Sequence, residues 1–356
     1  MKGLEERVDW LCRFVYRRFL WLVLGAYGVA AAWPRLGSHA RQMTVAWLPL
    51  IQESVGVSLP MLLLAALLFV AGLDAPVRQM WEVIRRPQVL FAAVLANLLV
   101  PIGFLLVLSQ PSRLWHNPNE TRDLLMGLGI VAAMPVAGSS AAWSQTAQGN
   151  AALSLGLVVV STFLSPLTTP LMLMAIESMA AGDDGEVVRG LGGQHTEAFL
   201  VICVAAPSLA GLAVRRLFEK NISPRFQRKL KFGAALVLLF LCYSNASAAL
   251  PEVVAQPDWD FLVVVLAVVV ALCILAFAAG SLLARVLGVD ESQRRSLMFG
   301  LAMNNNGAGM VLACASPARF SSVILPVLVY NLVQHIVAGW VNGHLAKRAG
   351  GAERRG

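Results

Sequence analysis

Long uncharged stretches recur along the whole chain and constrain its fold more than any other feature. Of the 356 residues, 58% are hydrophobic and only 13% are charged, which is about half the charged share of a soluble protein. Each stretch has at least the roughly 18 residues needed to cross about 30 Å of hydrocarbon. The sequence therefore predicts an all-α membrane protein that crosses the bilayer many times.

Ten apolar windows predict ten transmembrane helices. A polar outer loop at 177–196 divides them into two halves of five helices, residues 1–176 and 197–345, and a basic tail follows at 346–356. An odd number of spans inverts the second half relative to the first, a known plan of secondary transporters. We therefore expect two inverted repeats. The windows are 14–33, 56–74, 88–109, 124–148, 150–176, 197–217, 231–249, 260–284, 293–315 and 321–345.

The basic residues predict the orientation. Most of the 28 Lys and Arg residues fall on the side that holds both termini, and cytoplasmic loops carry such an excess. The sequence thus predicts a bacterial-type inner-membrane protein with cytoplasmic termini. Because the charges are spread over short loops, nucleic acid is not an expected partner, and the sequence does not indicate an oligomeric state. The six basic residues on the outer side are Arg35, Arg41, Arg113, Arg122, Arg189 and Arg319.

The fourth and ninth windows contain residues that weaken a helix. In the fourth window, Pro135 is followed by Gly138, Ser139 and Ser140. In the ninth, Asn304, Asn305 and Asn306 are consecutive, and three consecutive residues cannot share one face of an intact helix. These windows hold the same place in the two halves, so we expect discontinuous fourth and ninth helices that cross at the membrane midplane and line a site. The alternative is close helix packing with Asn side chains bonded across an interface.

At these residues the sequence resembles the bile acid:sodium symporter family. The motifs are Gly149–Ser154 (GNAALS), Val160–Pro170 (VSTFLSPLTTP), Arg85–Pro87 and Met303–Gly307 (MNNNG). The resemblance implies ten helices, a panel domain, a core domain and two crossed discontinuous helices. It also implies transport of a small organic anion, of carboxylate or sulfonate type.

The sequence departs from the family where sodium ligands are expected. The resemblance implies a Glu three residues before Met303, but the residue is Gly300. An Asn is expected where Ala141 stands, a Thr where Val158 stands, and a Gln where Asn97 is the nearest match. Because a carboxylate usually compensates a buried cation, sodium coupling is left open. No other cofactor and no resident metal site is predicted, and no enzyme motif is found.

Polar residues, most of them in the fourth and ninth windows, form the candidate site. We expect the substrate to contact Ser139, Ser140, Asn304, Asn305 and Asn306. The resemblance implies that a coupled ion would contact Ser140, Ser154, Asn97, Met303, Asn304 and Asn305. The residue His335 is more often a helix–helix contact than a proton relay.

Two other functions remain open at this stage. Arsenite efflux by a related ten-helix family would favour a thiolate, but Cys314 lies about two turns beyond the Asn run. A protein that retains the fold as a sensor or partner and no longer transports is the other alternative.

Overall fold

The chain is almost entirely helical in the computed structural model, which describes residues 18–49, 54–74, 87–112, 115–179, 194–218, 224–315 and 321–353. A π-helical stretch, Leu200–Ala205, joins the helices Gln194–Phe199 and Ala206–Phe218. The helices are α1 (Phe19–Ala32), α2 (Arg35–Gln42), α3 (Leu59–Asp74), α4 (Pro87–Ser112), α5 (Pro118–Ala133), α6 (Gly138–Thr146), α7 (Ala151–Met179), α8 (Gln194–Phe199), α9 (Ala206–Phe218), α10 (Pro224–Ala246), α11 (Leu250–Ala255), α12 (Trp259–Val286), α13 (Glu291–Ala302), α14 (Asn306–Ala315) and α15 (Ser321–Glu353).

Six helical spans are long and apolar enough to cross a membrane, and a seventh is added if α1 and α2, bent by 90°, count as one. The six are α4, α7, α10, α12, α15 and the continuous stretch Glu197–Phe218. The chain is therefore a multi-pass membrane protein. Each of the ten predicted windows contains helix. Arg85 and Arg86, the start of the first window and most of the 177–196 loop lie outside the described residues.

A β-hairpin is the one departure from the all-α prediction among the described residues. Strands β1 (Thr44–Pro49) and β2 (Ser54–Ser58) pair antiparallel, with Leu48 opposite Val55. The second window was predicted to begin at residue 56, and that boundary was wrong because α3 begins only at Leu59. The short run around Val55 and Val57 contains β-branched residues, which favour extended backbone.

The chain divides into two compact units, and each takes segments from both halves of the sequence. The first unit comprises residues up to Ala75 together with Val201–Pro257, and the second comprises Pro76–Leu200 together with Asp258 onward. The inverted five-helix repeats remain a prediction.

Glycines bring two helices of the first unit into backbone contact. A Cβ atom on Gly72 in α3 would lie 2.1 Å from the Ser208 carbonyl oxygen, and one on Gly211 in α9 would lie 2.0 Å from the Phe69 carbonyl oxygen. Neither position has room for a larger residue. Small residues at membrane helix interfaces permit this close approach.

The second unit contains both predicted breaks. Its apolar core includes Val89 and Ala93 of α4, Leu157 of α7, and Leu297 and Leu301 of α13. At one end of this unit α5 approaches α15 closely, because a Cβ on Gly127 would lie 2.5 Å from the Val323 carbonyl oxygen. These contacts position the two pairs of short helices, α5 with α6 and α13 with α14.

Candidate functional site

Two extended segments form the centre of the site, and we call them the crossing: Met134–Ala137 between α5 and α6, and Met303–Asn305 between α13 and α14. Pro135 favours the first break because it lacks an N–H group and pushes the residue before it out of helical geometry. Val136 and Asn304 form an isolated antiparallel bridge. The Ala137 N–H donates to the Met303 carbonyl, and the Asn305 N–H donates to the Pro135 carbonyl, both at 2.8 Å. Each break thus satisfies backbone groups of the other.

Residues of the predicted α7 motif support the first break. The Ser161 hydroxyl accepts from the Val136 N–H at 3.0 Å. The Thr169 hydroxyl donates to the Ala133 carbonyl at 2.6 Å. Both side chains are buried, so the polar residues of this otherwise apolar helix hold the extended segment in place.

Gln334 of α15 supports the second break. Its side-chain oxygen accepts from the Asn304 N–H and from the Asn306 amide nitrogen, both at 3.1 Å. The Asn304 amide nitrogen donates to the Val131 carbonyl at 2.8 Å. Gln334 was not among the residues predicted from the sequence, although its neighbour His335 was. An amide side chain in the middle of an apolar window was the signal that could have identified it.

The candidate substrate residues fall into an accessible row and a buried row. Ser139 and Asn305 are half-buried, whereas Ser140, Asn304 and Asn306 are at most 2% exposed. Only Ser139 and Asn305 of the five therefore offer a solute an accessible side chain.

The buried row has side-chain oxygens without hydrogen-bond partners. Asn304 Oδ1, Asn306 Oδ1 and Ser140 Oγ make no hydrogen bond in the described part of the chain. Each of the two amide nitrogens already donates a hydrogen bond, whereas neither side-chain oxygen accepts one. A cation or a hydrogen-bond donor would satisfy them, since a buried acceptor without a partner costs about 1–3 kcal/mol.

Two helix N-termini begin beside the accessible row. Helix α6 starts at Gly138 and α14 starts at Asn306. The first N–H groups of a helix have no partner within that helix and carry partial positive charge. No Asp or Glu occurs between Leu124 and Ile176 or between Ser296 and Leu345. The local field at the crossing therefore favours an anionic group.

The candidate sodium ligands include three buried oxygens without partners among the described residues. Asn97 is 3% exposed and its Oδ1 has no partner among the described residues. It follows the buried Ala93 by one helical turn. Neutral oxygens of Asn97, Ser140 and Asn304 suit a monovalent cation. However, a Cβ on Gly300 would lie 2.8 Å from Leu157 Cδ1, so a leucine methyl group lies where a carboxylate would extend.

Ser154 belongs to a separate hydroxyl cluster with Ser144 and Ser296. Its Oγ lies 2.8 Å from Ser144 Oγ and 3.0 Å from Ser296 Oγ, while Ser144 Oγ and Ser296 Oγ are 3.1 Å apart. The Ser154 and Ser296 hydroxyls also lie within hydrogen-bond distance of the Asn150 carbonyl oxygen, at 2.8 and 2.9 Å. The cluster joins α6, α7 and α13, and its hydroxyls already have partners. The ligand role predicted for Ser154 remains a prediction, and the partners Ser144 and Ser296 were missed.

His335 joins two helices beside the crossing. Its Nδ1 accepts from the Trp143 indole N–H at 3.2 Å, which links α15 to α6. The interpretation of this residue as a helix–helix contact is confirmed by that hydrogen bond. Both side chains are only partly buried.

Comparisons with known proteins agree with this architecture. The chain is 23% identical over 301 residues to the "Uncharacterized sodium-dependent transporter YocS" of Bacillus subtilis, covering 82% of this chain and 85% of that protein. It is 28% identical over 214 residues to the "Uncharacterized protein YbaS" of the same organism, covering 60% and 66%. It is 27% identical over 216 residues to the "Probable sodium/metabolite cotransporter BASS1, chloroplastic" of Arabidopsis thaliana, covering 57% and 49%.

The family assignment rests on a match to a family model. The sequence model of the Sodium Bile acid symporter family matches residues 61–256, which is more than half of the chain. The matched range includes the first break and the whole α7 motif. The resemblance found in the sequence is thereby confirmed, and the protein belongs to the sodium bile acid symporter family.

Proposed function

We propose that the protein is a secondary transporter that moves a small organic anion, of carboxylate or sulfonate type, by alternating access. The observation that carries the proposal is the crossing. It places the positive ends of α6 and α14 beside the accessible Ser139 and Asn305. Hydrogen-bond donors at a helix start suit an anionic oxygen. The relatives YocS and BASS1, which are named as transporters, support the same class of activity.

Within the site, the accessible row contacts the anion. The Ser139 hydroxyl and the Asn305 amide hydrogen-bond to it, and the first N–H groups of α6 and α14 supply positive potential. The buried Asn304 and Asn306 hold the extended segments through their amide nitrogens. They act mainly by positioning the accessible row.

Sodium is the coupled ion that the unpartnered oxygens fit. Asn97 Oδ1, Ser140 Oγ and Asn304 Oδ1 would hold it, and the ion would supply positive charge behind the anion. Because residue 300 is a glycine, with Leu157 beside it, no carboxylate contributes to this set. We therefore expect weaker sodium affinity than a site with a carboxylate would have.

The transmembrane arrangement belongs to the same proposal. The chain crosses a bacterial-type inner membrane ten times, as two inverted repeats (1–176 and 197–345) with cytoplasmic termini. The basic residues concentrated on one side support this orientation. Labelling single cysteines from outside intact cells tests it. Cysteines introduced at Asn119 should react, and those introduced at Arg295 should react only after lysis.

Uptake by the purified protein in sealed liposomes tests the transport activity. Labelled monocarboxylates, dicarboxylates and sulfonates are offered with Na⁺, K⁺ or choline outside at matched ionic strength. We expect saturable uptake of at least one anion, faster with Na⁺, and its loss in Asn305→Leu. The matched control is Asn342→Leu, on α15 near its cytoplasmic end, which should retain uptake. Absence of uptake of any anion, with folded protein in the liposomes, would favour the sensor alternative. Uptake unchanged in Asn305→Leu would exclude the proposed binding row.

A further inference from the structure

A second group of polar side chains lies in the second unit, where α5 and α12 begin. His116 precedes α5, Glu120 is in its first turn, and Asp260 is in the first turn of α12. One potential ligand atom from each of the three lies within 4.8 Å of the others. His116 Nε2 and Asp260 Oδ2 are 3.3 Å apart.

We propose that His116, Glu120 and Asp260 bind a divalent transition-metal ion, with Zn²⁺ as the best match. One imidazole and two carboxylates form a ligand set that zinc accepts. Around a tetrahedral zinc ion with bonds of about 2.0–2.2 Å, neighbouring ligand atoms are about 3.3–3.5 Å apart. The separation of His116 Nε2 and Asp260 Oδ2 falls in that range.

The glutamate is already oriented by two donors. The Trp115 indole N–H donates to Glu120 Oε2 at 2.7 Å, and the Asn117 amide donates to Glu120 Oε1. Each carboxylate oxygen can accept at more than one position, so both remain able to bind a metal. Hydrogen bonds of this kind typically orient metal ligands.

The charge around the cluster also favours a cation. Asp258, the N-cap of α12, lies two residues before Asp260 and adds a third acidic side chain. Within the described ranges, Glu120, Asp258 and Asp260 form no ion pair with Lys or Arg. The imidazole distinguishes this site from a purely acidic patch, which would suit Ca²⁺ or Mg²⁺.

The metal would join the connection between α4 and α5 to the start of α12. Beside the cluster is an apolar cavity of about 160 Å³, whose lining includes Leu108, Trp115, Phe261 and Val264. Glu120 belongs to both the cavity lining and the cluster, and Trp115 lines the cavity and donates to Glu120. Because the His116 and Asp260 side chains are 62% and 55% exposed, solvent can complete the coordination. The inferred role is to stabilise this end of the second unit, separate from the crossing.

Metal titration of the purified full-length protein, with any affinity tag removed, tests the site. Thermal unfolding is followed with added Zn²⁺, and Co²⁺ absorption reports the ligand geometry. We expect a saturable rise in Tm with Zn²⁺, and a visible Co²⁺ spectrum typical of bound metal. The variants His116→Gln, Glu120→Gln and Asp260→Asn should each weaken binding at least tenfold. The control is His39→Gln, an exposed histidine of α2 in the first unit.

The controls separate the outcomes. Loss of binding in the three cluster variants, with full binding in His39→Gln, supports the site. The absence of saturable Zn²⁺ binding in the wild-type protein overturns it, as does binding that survives His116→Gln. A rise in Tm with Ca²⁺ that is as large as the rise with Zn²⁺, and that persists in His116→Gln, overturns the transition-metal assignment. The transport assay is independent of these readouts.

Discussion

Gly300 of α13 faces Leu157 of α7, and a Cβ on the glycine would lie 2.8 Å from the leucine Cδ1 atom. The resemblance implies a sodium-binding carboxylate at residue 300. In this protein the space beside that position is occupied by the hydrocarbon side chain of Leu157. Leu157 is only 1% exposed and belongs to the apolar core of the second unit. An apolar contact therefore stands in the place of the absent carboxylate. An engineered sodium site requires a smaller residue at position 157 as well as a carboxylate at position 300.

The double variant Gly300→Glu/Leu157→Ala should respond more strongly to sodium than the wild-type protein. The shorter residue 157 makes room for the carboxylate, and a buried carboxylate is stabilised by a cation. The measurement is Tm in Na⁺ against K⁺ at matched ionic strength. Leu157→Ala alone is the control, with a packing loss of roughly 2–5 kcal/mol and no added sodium response. A folded double variant whose sodium response equals that of the wild type would contradict this assignment.

Gly211→Ala should strongly destabilise the first unit. Its new methyl group would meet main-chain atoms, the Phe69 carbonyl oxygen at 2.0 Å and the Leu73 nitrogen at 2.8 Å, so α3 and α9 must separate. Overpacking typically costs about 1–3 kcal/mol, and we expect the upper part of that range. The same change at Gly233 in α10, which has nothing within 4 Å, should be neutral or stabilising by up to about 1 kcal/mol. Equal Tm values for the two variants in detergent would show that the helices are not in backbone contact.

Gln334→Leu should destabilise the crossing by roughly 2–4 kcal/mol, because it leaves the Asn304 N–H and the Asn306 amide nitrogen without their acceptor. Thermal unfolding gives the stability change, and liposome uptake should fall with it. Gln293→Leu is the matched control, since Gln293 Oε1 is buried and has no partner in the described part of the chain. Its replacement should be neutral or stabilising. If both variants lose the same stability, Gln334 does not act as the shared acceptor.

The hydroxyl cluster should behave as a unit. Ser144→Ala and Ser296→Ala each remove a contact of the same network, so their effects on stability should not add. We expect an interaction energy of roughly 0.5–1 kcal/mol in a double-mutant cycle. The cycle Ser144→Ala with Ser161→Ala, whose hydroxyl contacts Val136 instead, should be additive. Additivity in both cycles would mean that the three hydroxyls contribute independently.

Local sequence signals predicted much of the second unit. Pro135 and the run Asn304–Asn306 located both breaks because proline and consecutive amides disfavour an apolar helix regardless of their neighbours. The same reasoning could not identify Gln334, Leu157 or Ser296. Their importance depends on contacts with residues about 30 to 150 positions away, which periodicity does not reveal. His116 and Asp260 were missed for the same reason, since each alone looks like an ordinary loop or helix-start residue.

The β-hairpin was not predicted from the sequence for a different reason. High hydropathy alone does not distinguish extended from helical backbone where β-branched residues directly precede a helix. The second predicted window therefore included Gly56–Ser58, which are in β2.

The bridge between Val136 and Asn304 has an evolutionary consequence. It is built from main-chain atoms, so most side-chain substitutions at Ser139 and Asn305 leave it intact. Selectivity could then diverge by replacement of one or two accessible residues, without a new fold having to be found. Relatives that differ at those two positions would be informative about which solutes this architecture accommodates.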